Sequence, residues 1–171
     1  MTDKTVPSMK YIPVAYLLLA LPSLTGCVSP NGSEGPRPVT RIDWIDLHVM
    51  PTAVNLDDVP GPDGLRAQVF LYQLARPEPV TVDGTLEMLL YEGNIPAASL
   101  DKHEPFHVWR FGADELRGLL IRKLGLWGYS MELRWGRRAP TAGAVTLEAR
   151  YSRAGRETIH SVPSASPLGT R

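Results

Sequence analysis

An alternation of apolar and polar residues with a period of two runs through the middle of the chain and limits what it can fold into. Leu65, Ala67, Val69 and Leu71 alternate with Arg66, Gln68, Phe70 and Tyr72, and Leu86, Met88 and Leu90 with Thr85 and Glu87. Tyr129, Met131, Leu133 and Trp135 alternate with Ser130, Glu132 and Arg134, and Val145, Leu147, Ala149 and Tyr151 with Thr146, Glu148 and Arg150. A strand turns successive side chains to opposite faces, so each run offers one face to a core and one to solvent. Arg41–Val49, His107–Phe111 and Glu157–Val162 carry weaker versions of the pattern. Between the runs, Pro62-Asp63-Gly64, Asp83-Gly84 and Ser152-Arg153-Ala154-Gly155 supply turn residues, the last joining two strands as a hairpin. The expected fold is mainly β, an antiparallel β-sandwich of about seven strands.

One segment departs from that period. Over about residues 113–124, Leu116, Leu119, Leu120 and Leu124 follow helical spacing, with Asp114 and Glu115 in the first turn, Arg122 and Lys123 in the last and Gly125 after them. This predicts one short amphipathic helix that leads from the strand ending at Phe111 to one beginning near Tyr129. Its leucines are read as core; an apolar face offered to a partner or to lipid is the alternative.

The flanks have a different composition. Residues 28–40 are rich in Pro, Gly and Ser and hold little to bury, which predicts a flexible tether, and residues 163–171 have the same character and predict a disordered tail. The β-sandwich domain is placed at 41–162, long enough for one core. Cys27 is the single cysteine, so no intramolecular disulfide can support that core.

His103-Glu104-Pro105-Phe106-His107 spells H-E-x-x-H, the pattern that sets two zinc-binding histidines one helical turn apart with a glutamate as general base. Pro105 lies inside the turn that would have to be helical, and the residues after it have strand character. His103, Glu104 and His107 are therefore read as a chance match, with no metal and no cofactor expected. The sequence contains no G-x-S-x-G elbow, phosphate-binding glycine loop or metal-spaced cysteines.

The chain has 18 basic and 18 acidic residues, unevenly spread: residues 28–104 hold five Lys/Arg against twelve Asp/Glu, and residues 105–171 hold eleven against five. Strands from the two halves interleave in a sandwich, so most of these charges are expected on solvated faces. The alternative is that Arg134, Arg137 and Arg138 with Trp135 form a basic and aromatic patch for anionic lipid or glycan, and a further reading gives Trp127 or Trp135 to a small ligand or glycan.

Ahead of the tether, Lys4 and Lys10 precede an apolar run from Tyr11 to Leu21, too short for a membrane span, and Leu24-Thr25-Gly26-Cys27 follows. This stretch resembles the signal peptide and lipobox of bacterial lipoproteins. The resemblance implies that residues 1–26 are removed and that Cys27, opening the segment 27–40, becomes an acylated membrane anchor. Asp3, Pro7 and Pro13 depart from the usual pattern and leave Met9 as an alternative start. Val28 rather than aspartate after the cysteine implies, by the family's sorting rule, the outer membrane where the organism has two membranes, and the periplasmic face is expected over the cell surface.

The mature part, in Asp63–Tyr72, Val82–Leu86 and Leu89–Gly93, resembles uncharacterised bacterial lipoproteins and, more loosely, transthyretin-like or Ig-like sandwich modules. Its layout is also similar to the outer-membrane tethering component of type VI secretion, with no motif that transfers a residue role. The function expected is that of a lipid-anchored, noncatalytic envelope protein that binds or scaffolds another envelope component. A surface enzyme on a sandwich scaffold, or a small-ligand or glycan binder, is the alternative. An exported, anchored domain does not meet nucleic acid.

Overall fold

The computed structural model describes residues 36–136 and 138–168. Residues 1–26, read above as a signal peptide, Cys27, most of the expected tether and Arg137 lie outside the described residues. Among those described, ten strands form two five-stranded antiparallel sheets. The front sheet has the order β1-β2-β7-β6, from Trp44–Val49, Gly64–Gln73, Leu126–Arg134 and Leu120–Lys123, and β3 (Arg76–Val80) pairs with the end of β2. The back sheet has the order β10-β8-β4-β5, from Ser164–Pro167, Ala144–Ser152, Thr85–Glu92 and His107–Phe111, and β9 (Ile159–His160) pairs with β8.

The inward halves of the alternating runs form one core: Leu65, Val69 and Leu71 from β2, Met131 and Leu133 from β7, Leu86, Met88 and Leu90 from β4, and Val145 and Leu147 from β8. Removing such side chains from water is the main drive for the fold, at about 25 cal/mol per Å² of apolar surface. Tyr129 is buried with them. Its hydroxyl accepts the Val82 N–H at 3.0 Å, and burial pushes its pKa up to about 12.

Four expectations are corrected. The helix does not reach residue 124: α1 spans Ala113–Leu119, its first turn held by the Glu115 carboxylate accepting the Gly112 N–H at 2.8 Å. Residues 120–123 instead pair with β7 as β6, and Leu124-Gly125 is a two-residue hairpin turn with φ of 50° and 86°. Positive φ at both central residues is what a type I′ hairpin turn requires, so Gly125 marks a hairpin rather than a helix end. Leu116 is core at 1 % exposure, Leu119 and Leu120 are half-buried against it, and Leu124 is 95 % exposed.

The count of seven strands also falls short. β3 needs only the pairs Leu71↔Val80 and Gln73↔Arg76, which Pro77 and Pro79 leave possible. The tail at 163–171 is not disordered throughout, because Ser164–Pro167 pairs with β8 as β10 and the Ser166 hydroxyl donates to Met50 O at 3.3 Å. At the other flank the ordered chain begins before residue 41: Val39 N–H donates to Thr81 O at 2.7 Å, and the Thr81 hydroxyl donates to Pro36 O at 2.8 Å.

Candidate interaction surface

The two outward faces differ. On the back sheet the 3₁₀ turn Ala97–Lys102 lays Leu100 over Leu89 and Tyr91. Beside them the strand register sets Glu87 opposite Arg110 on β5 and Arg150 on β8, with the shorter contact to each at 2.6 Å. Glu148 meets the His160 ring at 3.0 Å. Glu87 belongs to the acidic half of the sequence and both its arginines to the basic half, as do Asp83 and Arg153. The fold thus pairs Asp83 and Glu87 of the acidic half with three arginines of the basic half.

Burial pushes the Glu87 carboxyl up, but the hydrogen bonds and charges of Arg150 and Arg110 outweigh it and hold the group below the usual carboxylate range. The unfolded chain therefore takes up this proton first as the pH falls. The contribution of Glu87 is complete above about pH 4.3 and is lost as the pH drops through the folded-state value. Glu87→Gln should cost about 1–2 kcal/mol at neutral pH, modest because both arginines are partly solvated, and should flatten the acid limb of stability measured by denaturant melts.

The front sheet leaves its outer face open. Register places Trp44 opposite Tyr72, and their rings stack at 4.9 Å with planes 5° apart. Next along the face, the His48 ring stands edge-on to Phe70 at 5.7 Å and contacts Asp46 at 2.8 Å. Phe70 lies over Gly128, where a Cβ would come within 2.6 Å of its ring. A groove of about 400 Å³ runs beside Phe70 and His48, lined also by Met50, Leu124 and Leu126 and by Arg66, Gln68 and Lys123. Lys123 Nζ donates to Gln68 Oε1 at 3.1 Å across it.

Of the residues read as a basic and aromatic patch, Trp135 is withdrawn into the core. Trp135 shares the inward parity of Tyr129, Met131 and Leu133 and is buried at 3 % exposure, so it presents no ring to a ligand. Trp127 is half-buried, with the Arg122 guanidinium 5.6 Å from its ring centre. It stands at the start of β7 and Arg134 at the end, about 23 Å apart at strand rise. The Arg138 guanidinium lies 4.9 Å from the ring of Phe106, and Arg137 is outside the described residues.

The H-E-x-x-H letters are not on a helix. His103 closes the 3₁₀ turn in an extended conformation, and His107 opens β5 with its ring 4.3 Å from that of Trp109. Burial pushes the His107 imidazole down. Among the described residues no group of three or more His, Cys, Asp or Glu side chains is placed to hold a metal ion.

The front-sheet surface was not legible in the sequence, because Trp44, His48, Phe70 and Tyr72 occupy the polar phase of their runs and meet only through the register of β1 on β2. Fold and surface together define an antiparallel β-sandwich with one covered and one open sheet. No family model matches the chain, and no curated protein or solved structure is significantly similar to it.

Proposed function

We propose that the protein is a lipid-anchored, noncatalytic component of the bacterial envelope that binds another envelope protein through the open face of its front sheet. Leu24-Thr25-Gly26-Cys27 behind a short apolar run supports the anchor, and Val28 after the cysteine favours the outer membrane facing the periplasm. The observation that carries the binding role is the groove beside Phe70, which combines apolar Phe70, Met50, Leu124 and Leu126 with polar Arg66, Gln68 and Lys123. Such a groove suits an extended segment of a protein partner, with apolar side chains on Phe70 and Met50 and carbonyls or carboxylates toward Lys123.

A photo-crosslinking residue at Gln68 in the full chain, irradiated in native membranes, should give one discrete protein adduct. The same probe at Asp101, over the back sheet, should give none. Equal adducts from both positions, or none from either, would remove the front sheet as the binding face.

A further inference from the structure

We propose that the end of the sandwich around Trp135 is a second binding site, which takes an extended, non-acidic peptide segment and offers the Trp135 indole N–H to one of its backbone carbonyls. The site is independent of the acyl anchor and shares no lining residue with the front-sheet groove.

An unpaired donor marks it. Trp135 follows β7, and its backbone N–H donates to Asp63 O at 3.1 Å. Its indole Nε1 has no partner among the described residues and almost no contact with solvent. By contrast, the Nε1 of Trp109 donates to Arg134 O at 2.9 Å. Buried polar groups are nearly always paired, and an unpaired one costs stability that a ligand can restore. Trp135 also borders a cavity of about 280 Å³, together with Pro62, Ala139, Pro140, Thr141 and Leu168. Pro62 and Ala139 line a second hollow of about 690 Å³ that extends to Val59 and Asp57, so the two form one trough.

The lining selects the occupant. An indole N–H only donates, so the occupant must bring an acceptor. No charged side chain among the described residues lines the cavity, and a carboxylate there would be buried without a counter-charge, whereas a neutral carbonyl would not. Asp57 and Asp63 line the far part of the trough and repel an acidic segment. The front-sheet groove has the opposite preference, since Arg66 and Lys123 line it. A trough walled by proline and alanine suits several small residues in extended form rather than one compact molecule. Residues 139–143 belong to no helix or strand. Thr141 ties them to Glu92, its N–H and its hydroxyl donating to one carboxylate oxygen at 2.6 and 3.2 Å. This segment moves aside to admit the carbonyl, because Nε1 is otherwise out of reach.

The test uses the full chain carrying Cys27→Ser, labelled with ¹⁵N at its four tryptophans and held in detergent micelles. The probe is acetyl-alanyl-prolyl-alanine methylamide, and the control peptide has glutamate in place of both alanines. The Trp135 indole signal should move downfield with the probe and stay in place with the control, while the other three indole signals do not move. With uniform labelling, the amide signals of Thr141 and Gly143 should follow the probe as well. Trp135→Phe should then require about tenfold more probe for the same change at Thr141, the worth of one hydrogen bond. Ala139→Leu, which fills the shared wall while keeping the donor, should weaken the response at Trp135 and serves if Trp135→Phe does not fold. No movement of the Trp135 signal at millimolar probe, an equal response to the glutamate peptide, or a long-lived water on the indole proton would each overturn the proposal. Adducts at Gln68 bear on the front-sheet groove alone.

Discussion

Leu116→Asp should leave the chain without a cooperative melting transition. Leu116 is the one fully buried leucine of α1 and belongs to the core shared by both sheets. An aspartate there loses about 2–5 kcal/mol of packing and adds several more for an unpaired buried carboxylate, against a total stability of about 5–15 kcal/mol for a domain. Leu124→Asp, eight residues on, should leave the melting temperature almost unchanged, because that side chain touches solvent on nearly all sides. Thermal circular dichroism of both variants checks the pair. A cooperative transition in Leu116→Asp would mean that α1 is not part of the core.

The two leucines also show where legibility ended. Leu116, Leu119, Leu120 and Leu124 have helical spacing, yet the chain changes from helix to strand between Leu119 and Leu120. The competing influence is long-range: β6 finds β7 as a partner, and ladder bonds with Gly128 and Tyr129 outweigh the continuation of a short helix. By contrast, β2, β4, β7 and β8 were readable because one set of alternate side chains in each is fully buried between the sheets. β3 and β10 were not, since a proline-rich and a serine-rich segment carry no period and become strands only by docking on β2 and β8. The front-sheet aromatics share that limit, for each reads alone as a solvated residue and the groove exists only in the paired sheet.

Cys27→Ser should abolish acyl labelling completely and leave a precursor of altered mobility, since a hydroxyl cannot form the thioether on which lipoprotein processing depends. Metabolic labelling with a fatty-acid analogue, followed by fractionation, measures both. Continued labelling with membrane retention would remove the lipobox from the account, while the sandwich and its front-sheet groove would stand unchanged.

Both central pairings of the sandwich join distant parts of the chain. Arg66 reaches Glu132 across β2 and β7 over 66 residues, and Glu87 reaches Arg150 across β4 and β8 over 63. The amino-terminal half therefore has no complete sheet of its own to condense upon. Native structure must wait until β8 is present, which makes folding late, all-or-none and slow in the manner of high-contact-order β proteins. If the chain is threaded through a membrane from its amino terminus, as the proposed lipoprotein anchor requires, such a delay keeps the leading half unfolded during passage and sets folding at the far side.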